Sequence, residues 1–386
     1  MCVVCARLSG SGGEVLAKIA VELQQALARR AATGAAACHP TCRVLARGDG
    51  WVVEDLICAS GPQDPIFEER HGHVSIAMVL AGTFQYRGSA GQSFANGGSA
   101  NGGSAKRGSA KPGSAKPGSV KQGSVKQGSV IGASANGAIR NELMTPGSLL
   151  LGNAGQNFEV GHEHAAGDRC LSFQFAPEYF ERIASDAGVK KSDRGFRILR
   201  LPPLRELSSL IARARAALEY SADTPWEELS VELAAATVRA ERGIPSRTEN
   251  ARPSAIARVT RSVRAIERRP DGALGLGSLA REAGLSPYHF LRTFERLTGI
   301  TPHQYVRRAR LRDAASRLAA EREKVLDIAY DCGFGDVSNF NRAFRTEFGV
   351  SPLTWQACRA RGREIAAPKL WHAGRPAGSK NSPASI

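Results

Sequence analysis

The chain has 386 residues, 42% of them hydrophobic, a formal net charge of +16 and eight cysteines. That length fits about two domains, and no apolar run approaches the roughly eighteen residues that a membrane-spanning helix needs. Eight cysteines in so long a chain are not a disulfide framework, so a reduced, cytoplasmic setting is expected. The opening "MCVVCARLSGSGGEV" lacks a basic segment followed by a long apolar core, so no secretory signal is expected. The charge is uneven: residues 91–138 carry +6, 252–269 carry +5, 278–360 carry +4, and the segment from 361 carries +4. The C-terminal third is therefore basic, as a nucleic-acid contact requires, although a solvated basic surface would have the same charge.

In chain order, "EVLAKIAVELQQALARRAA" (14–32) alternates at helical spacing and is followed by Gly34 and an Ala run. From about 43 the pattern becomes "RVLA", "WVVEDLICA" and "HVSIAMVLAGTFQYRG", short β-branched and aromatic runs that predict antiparallel strands. Strand signals resume at "ELMTPGSLLLGNAGQNFEVGHEH" and "RCLSFQFAP", with Pro-Gly and Gly-Asn marking turns. Between them, residues 91–138 hold a five-residue Gly-Ser-(Ala/Val)-Lys-x repeat with almost nothing to bury. It is expected to be a disordered insertion in the turn of a short hairpin, tolerable because loop-closure entropy grows slowly with length. A repeat expansion without function is the favoured reading of it; a nonspecific polyanion-binding arm is the other.

From 177 the chain turns helical with "PEYFERIASDAG", "LPPLRELSSLIARARAALEYSA" and "PWEELSVELAAATVRAE". These predict a bridge or dimerisation helices over 186–242. Residues 243–254, "GIPSRTENARPS", read as a linker, 255–360 as an all-helical unit, and 361–386 as a disordered basic tail.

The helical unit repeats itself. "AREAGLSPYHFLRTFERLTGITP" (280–302) and "AYDCGFGDVSNFNRAFRTEFGVSP" (329–352) share Phe-x-Arg-x-Phe-x4-Gly-x-(Ser/Thr)-Pro at an offset of fifty residues. Each copy predicts two short helices joined by a Gly turn, with Ser286 and Asp336 as caps of the second helix. Helical spacing puts Phe290, Phe294 and Leu297 on one stripe, with Tyr288, Arg292 and Arg296 opposite and His289 beside them. In the second copy Phe340, Phe344 and Phe348 form the stripe, while Ser338, Arg342, Arg345 and Thr346 face away. The segment 302–323 predicts a helix of about twenty residues, roughly 30 Å. With its turns it would set the two presenting helices near one DNA turn apart, about 34 Å. A helix held by its aromatic stripe and presenting Arg with small polar groups suits the major groove; an ordinary helical bundle is the plainer alternative.

Residues 255–360 thereby resemble the DNA-binding domain of the AraC/XylS family of bacterial transcription regulators, through "LAREAGLSPYHFLRTFERLTGITPHQYV" and "IAYDCGFGDVSNFNRAFRTEFGVSP". The resemblance implies a recognition helix in each half, with Tyr288, His289 and Arg292 in the first and Ser338, Asn341 and Arg342 in the second as contacts to base or backbone. Arg296 and Arg345 join them as DNA-binding candidates. Phosphate contacts are expected from Arg307, Arg308, Arg310 and the Arg cluster at 258–269. Residues 43–185 resemble the cupin-like effector-sensing domains attached to such regulators, through "FEERHGHVSIAMVLAGTFQYR" and "MTPGSLLLGNAGQNFEVGHEH".

The sequence admits two metal readings. His71-x-His73 and His162-x-His164, taken as alternate strand positions, would each chelate one ion. Metal cupins, by resemblance, also need a Glu shortly after the first pair, whereas Ser75, Ile76, Ala77 and Met78 follow His73 here. Cys2, Cys5, Cys38 and Cys42 suggest a four-thiolate zinc site, but alkylation-sensing regulators with such a site have the reverse spacing. Cys58, Cys170 and Cys332 read as small core residues.

The expected architecture is α+β in two domains: an N-terminal cupin-like antiparallel β domain with flanking helices and a C-terminal all-α double helix-turn-helix domain. The expected function is a sequence-specific transcription regulator, not an enzyme, with no cofactor or membrane association. Its expected partners are double-stranded promoter DNA and a small-molecule effector, with RNA polymerase and a second copy of the chain compatible with that role. Family analogy favours activation. The alternatives are a metal-binding cupin enzyme fused to a DNA-binding module and a nonspecific nucleoid-type binder.

Overall fold

The computed structural model describes residues 18–33, 40–89, 139–190, 195–220, 224–245, 250–320 and 323–360. The Gly/Ser/Lys repeat at 91–138, the basic segment from 361, and Cys2, Cys5 and Cys38 lie outside the described residues. The chain opens with helix α1 (Lys18–Thr33) and then forms β1 (Thr41–Gly48), β2 (Trp51–Cys58), β3 (Phe67–Arg70), β4 (Val74–Gly82) and β5 (Phe84–Ser89). After the repeat come β6 (Ile139–Met144), β7 (Leu149–Gly152), β8 (Asn157–Gly161) and β9 (Asp168–Phe175). Helix α2 (Pro177–Asp186), the short strand β10 (Arg200–Leu201), α3 (Arg205–Tyr220) and α4 (Trp226–Arg242) complete the N-terminal part.

The strands form a six-stranded sheet in the order β1-β2-β9-β4-β7-β10 and a four-stranded sheet in the order β3-β8-β5-β6. All recorded pairings are antiparallel. The near-continuous apolar run of β4 follows from its position, because both of its faces are covered. Ile76 and Met78 share a core with Phe180 of α2, Leu207 and Ile211 of α3 and Leu233 of α4. Ala77 and Val79 face Phe84, Tyr86, Met144 and Phe158 of the smaller sheet. As the hairpin reading requires, β5 and β6, which flank the repeat, pair from Phe84↔Met144 to Ser89↔Ile139.

The C-terminal part is all helical: α5 (Pro253–Arg268), α6 (Leu276–Glu282), α7 (Pro287–Thr298), α8 (Pro302–Ala320), α9 (Val325–Asp331), α10 (Val337–Phe348) and α11 (Pro352–Ala360). It has two cores. Phe290, Phe294 and Leu297 of α7 pack with Ile256 and Val259 of α5 and with Tyr305 and Val306 of α8. Phe340, Phe344 and Phe348 of α10 pack with Ile328 of α9, Trp355 of α11, and Leu311, Ala315 and Leu318 of α8. Helix α8 thus belongs to both cores, which explains why buried residues occur all around it. Its 19 residues span about 28 Å.

The two parts pack against each other. Leu143 of β6 enters the first helical core and Ala212 of α3 the second. The linker residue Asn250 caps the exposed edge of β6: Asn141 N donates to its Oδ1, and its Nδ2 donates to Ile139 O, both at 3.0 Å. Short strands β3 and β10 were not expected from the sequence. Neither His-x-His pair lies on a strand either; His71 and His73 fall in the β3–β4 connection, and His162 and His164 in the β8–β9 connection.

Candidate nucleic-acid interface

Each presenting helix is built the same way. Ser286 precedes α7 and its hydroxyl accepts from His289 N, with Pro287 at the first helical position. Asp336 precedes α10 and its carboxylate accepts from Ser338 N at 3.0 Å and Asn339 N at 2.9 Å. Both helices stop at a left-handed glycine, Gly299 at φ 83° and Gly349 at φ 80°. The aromatic stripes are fully buried, so each helix can turn only its opposite face outward.

Tyr288, His289, Arg292 and Arg296 on α7 and Ser338, Asn341, Arg342 and Arg345 on α10 are all exposed. Tyr288 is the most open of the large hydrophobic side chains among the described residues, at 68%. No hydrogen bond or ion pair holds the guanidinium of Arg292, Arg296, Arg342 or Arg345 among the described residues. The Nδ1 of His289 is committed to Ser286 Oγ at 3.0 Å, which leaves Nε2 as its remaining polar atom. Thr346 Oγ1 donates to Arg342 O at 2.7 Å, so this residue serves the helix rather than a ligand. A groove of about 440 Å³ beside α7 is lined by Arg252, Arg258 and Arg296 with Asn250, Ser254 and Thr293. Arg252 was missed in the sequence because it sits in what reads as linker, and only the fold brings it to α7.

Several expected phosphate contacts have other duties. Arg308 pairs with Glu347 at 3.1 Å and donates to Pro203 O, and burial lowers its pKa. Arg310 donates to the carbonyls of Pro270, Gly333 and Gly272 at 2.7, 2.7 and 3.0 Å. Arg264 donates to Ala166 O in the β8–β9 connection. These arginines are structural because the connections between elements leave carbonyls that a planar multi-donor cation can satisfy. Arg261, Arg268 and Arg269 remain exposed and Arg307 half-buried.

The four histidines do not assemble into one site. His71 stacks on Phe158 with ring centroids 4.2 Å apart, and its Nε2 lies 2.7 Å from Tyr86 Oη. Burial lowers its pKa to about 4. His73 is exposed. Among the described residues, His162 alone of the four joins a cluster of metal-ligating side chains, with Cys58 and Asp168. Burial opposes charge on His162, but the Asp168 carboxylate, with Cys58, outweighs it and raises the pKa to about 10.

Residues 279–357 match the family described as a helix-turn-helix domain. Over 92 residues the chain is 42% identical to the probable transcriptional regulator LumQ of Photobacterium leiognathi, covering 24% of this chain and 37% of that protein. It is 44% identical over 75 residues to the transcriptional activator RhaS of Citrobacter koseri, covering 19% and 27%. The solved DNA-binding domain of AdpA, a global transcriptional factor in complex with target DNA, is 29% identical; the match covers 27% of this chain and 94% of that one, with a TM-score of 0.26. Fatty-acid-bound ToxT from Vibrio cholerae strain SCE256 is 11% identical over 83% of this chain and 99% of that one, with a TM-score of 0.30. The chain therefore carries a helix-turn-helix domain in its C-terminal region, and that domain is of the AraC type. It spans only 27–37% of the length of these two curated relatives.

Proposed function

We propose that the protein is a sequence-specific, effector-responsive transcription regulator acting in the cytoplasm rather than an enzyme. One observation carries this reading: two copies of one capped helix, tied to opposite ends of α8, expose unpaired arginines and small polar groups on the side away from their buried aromatic stripes. In this reading α7 and α10 enter consecutive major grooves of promoter DNA. Arg292 and Arg342, with Tyr288, His289, Ser338 and Asn341, meet base edges or nearby backbone, and Arg296 and Arg345 support them. The groove lined by Arg252, Arg258 and Arg296 suits a phosphate, which carries affinity but no sequence information. The two-layered β domain, closed over by helices, supports a cupin-like sensing role for a small molecule. Activation and RNA polymerase contact rest only on the type of its DNA-binding domain, and self-association on the helical stretch over 186–242.

The experiment is selection of genomic fragments by the full chain, followed by titration of the selected site. Arg342→Ala should weaken that site by about 1–3 kcal/mol, roughly 5- to 150-fold, and relax preference at one base pair. Equal loss on random DNA would reduce Arg342 to a phosphate contact. An absence of any preference among fragments would favour a nucleoid-type binder.

A further inference from the structure

The geometry points to a binding site for a thiophilic divalent cation, zinc by its donor chemistry, formed by Cys58, His162 and Asp168 inside the β domain. The site is distinct from the DNA-binding reading and does not depend on it. Cys58 ends β2 and stands directly opposite Asp168, the first residue of β9, so the two side chains share one side of the sheet. The β8–β9 connection brings His162 onto the same spot. Its tight return is set by Ala165 N donating to His162 O and by Gly167, at φ 75°, donating to Ser60 O at 2.8 Å. The thiol sulfur, an imidazole nitrogen and a carboxylate oxygen all lie within 4.8 Å of one another. All three residues are buried, with exposures of 4%, 4% and 6%.

The donor set selects the ion. Sulfur, imidazole nitrogen and one carboxylate oxygen are the ligands zinc takes, whereas magnesium and calcium require oxygen shells. Zinc bonds of about 2.0–2.3 Å at tetrahedral angles separate neighbouring donors by roughly 3.3–3.8 Å. The present spacing reaches that by side-chain rotation once zinc displaces the proton shared by the pair, which leaves to solvent with that of the Cys58 thiol: His162 Nε2 and Asp168 Oδ1, now 2.6 Å apart, would part by less than about 1 Å. A fourth donor is at hand, because Cys170 Sγ lies 3.3 Å from Asp168 Oδ2 and follows two residues along β9 on the same face. A histidine–aspartate ion pair would need neither thiol. A buried thiol within reach of both members of that pair, with a second thiol beside Asp168, is what a cation of this class would order.

The test uses the full chain, expressed with zinc supplied and dialysed into metal-free buffer, with zinc counted by mass spectrometry. About one zinc per chain is expected in the parent and less than about a tenth in folded Cys58→Ser and His162→Gln. A Cys2→Ser, Cys5→Ser variant should keep its zinc, which separates this site from the N-terminal thiols. Cobalt substitution of the parent gives a second readout that needs no variant, namely a thiolate-to-cobalt charge-transfer band with tetrahedral d–d absorption. Zinc-free parent protein, a cobalt adduct without thiolate bands, or zinc retained by folded Cys58→Ser and His162→Gln would each overturn the assignment.

Discussion

Arg342 and Arg308 are both arginines of the basic third, yet their roles differ because of what surrounds them. Arg342 is exposed and unpaired, while Arg308 is held by Glu347 and a carbonyl of the other domain. Composition cannot tell the two apart, since only the packed loops reveal which cations are already spent. His71 shows the same at the level of protonation. Its ring lies so close to Gly152 that a Cβ there would sit 2.2 Å from Nε2, and it stacks, half-buried, on Phe158. Because the folded pKa is about 4 and the unfolded value about 6.5, the unfolded chain takes up a proton first as pH falls. This single group should remove about 3 kcal/mol of stability between pH 6.5 and 4, with no effect above that window. In His71→Gln, denaturant unfolding followed across the window should lose most of that slope. An unchanged slope would mean that His71 takes up its proton at the same pH in the folded and unfolded chain.

At the scale of elements, the repeat made both helix-turn-helix units legible in advance. The caps, aromatic stripes and terminal glycines are short-range features, so local sequence is enough to define them. Strand β10 was invisible because two residues carry no periodicity; Arg200 and Leu201 are extended only because Leu150 and Leu149 of β7 offer an edge to pair with. The histidine pairs were misread for the opposite reason. Alternate positions share a face only on a strand, and both pairs fall in turns. The caps also make a prediction. Asp336 takes two backbone N–H groups at the positive end of α10, so Asp336→Ala should cost about 1–2 kcal/mol and Asp336→Asn well under half of that. Matching losses for the two variants in chemical denaturation would show that the cap contributes nothing specific.

At the scale of the molecule, the β domain and the DNA-binding domain meet through polar groups that each would otherwise leave orphaned. Arg200, buried at the sheet edge, donates to Leu297 O at 2.9 Å and Thr298 O at 3.2 Å, and pairs with Glu142 at 3.3 Å. It therefore neutralises the negative end of α7, the first presenting helix, from the other domain. Gly299 follows there, and a Cβ on it would lie 2.4 Å from Pro202, so the chain itself is pressed against that helix end. Glu347 on α10 accepts from Ser208 of α3 as well as from Arg308. Both presenting helices are thus anchored to the β domain by ends or faces other than those that carry the exposed arginines, which leaves their exposed sides open while fixing their relative setting. Arg200→Ala would strand two buried carbonyls and a partly buried carboxylate, costing about 2–3 kcal/mol. Amide exchange should speed up in the last turn of α7 before it changes in α10. Arg292→Ala, which removes an exposed and unpaired side chain, should leave both stability and exchange unchanged. If Arg200→Ala left α7 exchange at parent rates, the joint would be a surface contact and the two domains would hold their helices independently.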